Sequence, residues 1–205
     1  MGRISKEESL KRREAIIDAA QALYQEIPFK EINVKEIGRR LSFTRTAVYT
    51  YFDNKEEIFL ALLKREYLKW EEDLQVILEK EKLSPAVFAE KMAESLEKRL
   101  TLLKILAVDM ASLDAESRME PLVAFKSVYG RSLDMVRQLL EKHFPERNQN
   151  DNQQFIFVFF PFLYGVYPYT EVTDKQKQAM AEADVPYVYM TVKEMIANGI
   201  LNLLK

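Results

Sequence analysis

Between Leu10 and Ile27 the apolar residues Ile16, Ile17, Ala19, Ala20, Leu23, Tyr24 and Ile27 recur at three- and four-residue intervals, which places them on one side of a helix. Pro28 stops that helix, because the residue before a proline is driven out of helical backbone geometry. Asn33 followed three residues later by Glu36 is an N-cap signature, and it predicts a second helix over VKEIGRRL, 34–41. Ser42 and Phe43 make a tight turn, Thr44 caps again, and RTAVYTYF, 45–52, reads as a third short helix. Asp53 or Asn54 then caps a long fourth helix, 55–82, whose apolar face is Ile58, Leu62, Leu63, Tyr67, Leu74, Ile77 and Leu78. The run KREYLKWEED within it reads as a solvated face.

Ser84-Pro85 joins an N-cap to a first-turn proline and starts the next helix. Helical spacing continues over 85–98, 100–112, 120–143, 152–167, 174–183 and 187–204, with breaks at 114–117, 145–152 and around Pro186. The polar run NQNDNQQ, 148–154, reads as a surface loop leading into a helix. There is no internal repeat, and with only five glycines and seven prolines in 205 residues the chain lacks the turn punctuation that strands need. The expected fold class is all-α.

Composition narrows the chemistry. No cysteine is present, which removes disulfides, thiolate metal sites and cysteine nucleophiles. The single histidine, His143, sits at a helix end beside Phe144 and Pro145, where a C-terminal charge effect or simple exposure is expected rather than catalysis or ligation. Asp109, Asp114 and Glu116 lie near a helix break and read as solvated caps, so neither a metal nor a cofactor is expected. The N-terminal MGRISKEESLKRRE has no apolar core, and no stretch reaches 18 uninterrupted apolar residues. A cytoplasmic protein without membrane contact is the expectation. The net charge of −2 divides unevenly, since residues 1–55 hold eleven Lys and Arg against eight Asp and Glu. A small basic head on an acidic body fits a polyanion-binding module joined to another domain.

Three short helices with a turn of about four residues between the second and third have helix-turn-helix geometry. In such a unit the third helix enters the major groove while the second crosses the phosphates. The inward set is Ile16, Ala20, Leu23, Ile32, Ile37, Leu41, Val48 and Phe52, which leaves Thr44, Arg45, Thr46, Tyr49 and Thr50 facing outward. Arg45 can bind guanine bidentately, the threonines reach base edges, and Tyr49 is long enough to put its hydroxyl on a phosphate. Asn33 and Lys35 at the start of the second helix, and Lys55 at the start of the fourth, stand where backbone N–H groups and the helix dipole favour a phosphate.

The run from Ile37 to Phe59, IGRRLSFTRTAVYTYFDNKEEIF, resembles the DNA-binding signature of the TetR family of transcriptional regulators, and the likeness extends over roughly residues 10–60. Gly38 takes the small-residue position after isoleucine, and Tyr49, Tyr51, Phe52, Lys55, Glu56 and Ile58 fill the final part of the pattern. The resemblance implies a homodimer of all-helical subunits that binds a double-stranded operator and is released by a small molecule. It also implies a DNA-binding domain over 1–53 and a ligand-binding and dimerisation domain over 54–205. The chain departs from the family at Ser42, where glycine is usual and a glycine-like backbone at some cost is expected. It departs again at Thr46, where a smaller residue is usual.

In the second half, FIFVFFPFLYGVYPY, 155–169, is the most aromatic stretch, and it suits either a dimer core or the lining of a pocket. Phe88, Met92, Leu96, Phe125 and Tyr129 from neighbouring helices, with Phe159 and Phe162, are candidates for an apolar cavity, because Met and aromatic side chains make adaptable walls. The function expected from all this is a ligand-responsive regulator, a repressor that a hydrophobic or aromatic effector releases from a pseudo-palindromic operator. A helical enzyme carrying the three-helix head is disfavoured by the absence of cysteine, the lone histidine and the lack of a glycine-rich phosphate loop. An adaptor whose head binds protein would make Thr44, Arg45, Tyr49 and Lys55 dispensable for DNA retention.

Overall fold

The structure is a computed structural model that describes residues 5–205. The described residues form eleven α-helices and no strand. They group into two compact units, one comprising residues up to Arg65 together with Asp109–Val128, the other Glu66–Val108 and Tyr129–Lys205.

The first unit begins with α1, Lys6–Glu26, which Ser5 caps by accepting from the Glu8 N–H at 3.1 Å. A single 3-10 turn, Phe29–Glu31, leads to α2, Val34–Arg39, which Asn33 caps as its sequence predicts. The third helix, α3, is only Arg45–Val48, and turn hydrogen bonds such as Tyr51 N–H to the Val48 carbonyl carry the chain on to Phe52. The expected span to residue 52 is too long as an α-helix, because β-branched and aromatic residues at 46 and 48–51 have low helix propensity and tighter turns are common at helix ends. Helix α4 is Lys55–Leu78, and Asn54 caps it by accepting from the Glu57 N–H at 2.9 Å.

The core of this unit contains Ile16, Ala20, Leu23, Ile32, Ile37, Val48 and Phe52, all buried. Leu41 is only half-buried, so it belongs at the rim of the expected inward set. Phe59 on α4 is fully buried and meets Tyr24 and Phe29 edge-on, with ring centroids 5.0 and 4.8 Å away.

The expected helix over 100–112 is two helices, α6 at Leu100–Val108 and α7 at Met110–Glu116, broken at Asp109. Asp109 is not a solvated cap: it is buried, and its carboxylate accepts from the Tyr24 hydroxyl at 2.5 Å. Asp114 is exposed and pairs with Lys126 at 3.1 Å, as a surface charge should.

The second unit contains α5, Pro85–Glu97, capped by Ser84 with proline in its first turn. Helices α8, Met119–His143, and α9, Gln149–Thr170, follow, and then α10, Asp174–Glu182, and α11, Val192–Leu203. NQNDNQQ is not a loop, because Asn148 caps α9 through the Asp151 N–H and the rest of the run is helical. Residues 187–191 are not helical either. Asp184, with φ of +52°, reverses the chain after α10 with paired bonds from Val185 N–H to Met180 O and from Asp184 N–H to Ala181 O. Thr191 and Glu194 then form the capping box that starts α11.

Trp70 is fully buried and donates its indole N–H to Ser95 Oγ at 3.0 Å. With Glu66 and Tyr67 buried as well, KREYLKWEED is a half-buried stretch rather than a solvated face. His143 is also fully buried, and its Nδ1 accepts from the Leu83 N–H at 3.2 Å. Burial pushes its pKa below the usual value, so the expected exposure at a helix end is replaced by a neutral core imidazole. No single helix among the described residues is long and apolar enough to cross a membrane.

Packing gives a direct test. Phe59→Ala should cost about 3–5 kcal/mol in urea unfolding, whereas Thr46→Ala on the exposed face of α3 should stay within about 0.5 kcal/mol.

Candidate nucleic-acid interface

The third helix is positioned from inside and from below. Val48 and Phe52 are buried in the unit's core, which turns the opposite side outward. Gly38 on α2 lets the start of α3 come close, since a Cβ there would stand 3.0 Å from Arg45 Cγ and 3.1 Å from its Cβ. This is the physical need behind the small residue at position 38. Ser42 requires no such allowance: among the described residues only Asp184 has a positive φ outside glycine, so the expected backbone cost at Ser42 does not arise.

Thr44, Arg45, Thr46, Tyr49 and Thr50 are all exposed, as are Asn33 and Lys35. Thr44 makes no side-chain cap bond, which leaves its hydroxyl free for another partner. Asn33, Lys35, Arg45, Tyr49 and Lys55 line one open concave patch with Lys30, and Asp53 and Glu56 line it too, so four cations there outnumber two carboxylates. Lys30 is a cation that the sequence reading passed over, and its position three residues before Asn33 was the available signal. Arg39 and Arg40 are tied up with Glu36 and Glu26.

Lys55 has a second role. It is half-buried, its Nζ donates to the Phe29 carbonyl at 2.9 Å, and it lies 4.1 Å above the Phe29 ring centroid. An ammonium has three donors, so one bond to the backbone leaves two for a phosphate.

Behind this face stands a buried carboxylate that sequence reading missed. Glu57 is 1% exposed and accepts from Arg118 Nε at 2.6 Å, Arg118 Nη2 at 2.7 Å, the Asp53 N–H at 3.0 Å and the Arg118 N–H at 3.2 Å. Asn54 adds a bond from its side-chain amide to the Glu116 carbonyl at 2.8 Å. The turn before α8 is thereby fastened to the junction of α3 and α4. The Arg118 hydrogen bonds hold the Glu57 carboxyl below its ordinary pKa, with burial opposing them.

The pocket candidates fall differently. Phe88, Met92, Leu96 and Phe159 are fully buried in the second unit, and Phe88 packs against Phe144 and His143 with centroids 5.1 and 5.7 Å away. Tyr129 is half-buried and meets Phe160 edge-on at 5.5 Å. Phe162 lies against Gly199, where a Cβ would come within 2.8 Å of the ring. Phe125 belongs to the first unit. Helix α9 buries Phe155, Ile156, Phe159, Phe160, Leu163 and Val166. Its other side remains apolar and exposed, with Phe157 at 68%, Val158 at 51% and Tyr164 at 39%.

A hydrogen-bonding face on the third of three helices, with cations beside it on the neighbouring segments, defines a helix-turn-helix DNA-binding protein. Two family models match the chain: bacterial regulatory proteins of the tetR family over residues 16–62, and the tetracyclin repressor-like C-terminal domain over residues 64–205. The chain belongs to the TetR family of transcriptional regulators.

Among solved structures, the fatty acid degradation regulator FadR from Bacillus halodurans is similar at 16% identity, with 94% of each chain covered and a TM-score of 0.62. FadR from Bacillus subtilis, solved in complex with stearoyl-CoA, is 19% identical over 93% of this chain and 96% of its own, with a TM-score of 0.61. SmeT, the repressor of the Stenotrophomonas maltophilia multidrug efflux pump SmeDEF, is 21% identical over 94% of this chain and 88% of its own, with a TM-score of 0.58. At these identities the likeness shows the fold. No curated protein matches the chain significantly.

The buried carboxylate yields a pH test. Because the folded pKa of Glu57 is lowered, its contribution to stability is fully present above the ordinary carboxyl value and is lost as pH falls through the lower folded value. The urea midpoint of the natural protein should therefore exceed that of Glu57→Gln most at neutral pH, and the gap should close below about pH 4.3.

Proposed function

We propose that the chain is a repressor that binds a pseudo-palindromic operator as a homodimer and leaves it when a small hydrophobic or aromatic effector binds. The observation that carries this reading is the exposed polar face of α3, where Thr44, Arg45, Thr46, Tyr49 and Thr50 stand outward while Val48 and Phe52 are buried. Residues 1–53 form the DNA-binding segment, with Arg45 and the threonines on base edges. Asn33, Lys35, Tyr49 and Lys55 contact phosphates, where charge neutralisation supplies affinity without sequence information.

Residues 54–205 carry effector binding and dimerisation. The outward apolar stripe of α9 supports a self-complementary interface, because a patch containing Phe157, Val158 and Tyr164 is unfavourable in water and a two-fold axis would cover it. Phe88, Met92, Leu96, Tyr129, Phe159 and Phe162 of the second unit are the proposed source of an apolar effector pocket, without Phe125, which lies in the first unit. The stearoyl-CoA bound by FadR supports an apolar class of effector, and the repressor role of SmeT supports repression. The effector releases DNA only if it binds one spacing of the two heads more tightly than the other, with α4 as the element whose tilt sets that spacing.

The test is binding to DNA upstream of the protein's own gene, measured at several salt concentrations. Arg45→Ala should relax base preference, with about 1–3 kcal/mol lost on the best site. Lys55→Ala should weaken all sequences alike and lower the salt slope by about one. Absence of salt-dependent binding by the natural protein would overturn the reading. For the interface, the double variant Phe157→Glu, Val158→Glu should sediment as a monomer where the natural protein sediments as a dimer.

A further inference from the structure

The first unit holds a second concavity whose chemistry differs from that of the open basic patch. It has a volume of about 290 Å³, and its apolar surface comes from Phe52, Leu60, Ala61, Pro121 and Ala124. Arg13 of α1 and Lys64 of α4 line it as well, beside Tyr51 at the end of the third-helix segment.

The charges in the lining are unequal in their commitments. Glu57 and Arg118 also line the pocket, but the four hydrogen bonds on the Glu57 carboxylate leave that pair mutually satisfied. Glu120 is exposed and screened by solvent. Arg13 lies 5.1 Å from the Phe52 ring centroid, and the ion pair it makes is a 3.5 Å contact with its chain neighbour Glu14. Lys64 forms no ion pair among the described residues. Two cations without a strong carboxylate partner therefore face an apolar floor, a combination that suits an amphipathic anion.

We propose that this pocket binds a small organic monocarboxylate, with its carboxylate held by Arg13 and Lys64 and its hydrocarbon part on Phe52, Leu60 and Pro121. The volume lies at the lower end of small-molecule sites, about 300–1,000 Å³, which limits the ligand to a short chain or a single ring. Since Tyr51 and Phe52 close the reading segment, an occupant contacts the residues that orient α3. Every residue lining the site belongs to the first unit, so it is distinct from an effector pocket built from second-unit residues.

Isothermal titration of the full chain with sodium octanoate tests the proposal without reference to DNA. The expected result is saturable binding at one site per chain, weakened about tenfold by Arg13→Ala and by Lys64→Ala, and not reproduced by 1-octanol. Ala124→Phe, which fills the pocket from its wall, should remove binding, and circular dichroism and the melting temperature of each variant establish that it is folded. Should Ala124→Phe fail to fold, Ala61→Phe serves the same purpose from α4. The proposal is overturned if octanoate does not bind, if the alanine variants bind it equally well, if 1-octanol binds as tightly, or if the filled pocket still binds.

Discussion

A carboxylate that is 1% exposed must be neutralised where it stands, and the arrangement of the first unit follows from how that is done for Glu57. Its four hydrogen bonds come from Asp53, one residue before the α4 cap, and from Arg118 in the turn before α8. The local bond and the distant ones act on the same oxygens. The end of the third helix, the start of the fourth and a segment 61 residues further on are therefore held as one assembly. A four-residue helix cannot stand by itself, because nucleation costs more than one turn returns, so α3 needs such a frame.

Within that frame the division of labour on α3 is sharp. Val48 and Phe52 supply the apolar anchor, and every residue from Thr44 to Thr46 as well as Tyr49 and Thr50 is left to solvent. Nothing in the core requires three threonines and an arginine there, which is why their chemistry points to an external ligand rather than to folding. Lys55 shows a mixture of the two demands. Its ammonium fixes the loop at Phe29 while staying beside the concave patch that Asn33, Lys35, Arg45 and Tyr49 share.

Several local signals were legible in the sequence, though the equally local caps at Asn148, which opens a polar run, and at Thr191 were passed over. The caps at Asn33, Asn54 and Ser84 depend on residues three positions apart, and the helices they start lie close to where spacing places them. Other residues could not be read because they depend on distant partners. Asp109 is buried because Tyr24 reaches it from 85 residues away, and Glu57 because Arg118 does so from 61. His143 looked like a helix-end residue and proved to be a core imidazole bonded to Leu83, 60 residues distant. Ser42 was misjudged for another reason, since the turn keeps negative φ and asks nothing of glycine. For α9, composition alone left interface and pocket both open. Only the three-dimensional phase of the helix separates the six buried apolar side chains from the outward Phe157, Val158 and Tyr164.

The most direct measurement is hydroxyl-radical footprinting of the full chain on a bound DNA fragment. A dimer that places α3 in successive major grooves predicts two protected patches on one face of the duplex, centred about 10 base pairs or a whole multiple of that apart. A single continuous patch, or protection without that helical phase, would contradict a paired major-groove reader.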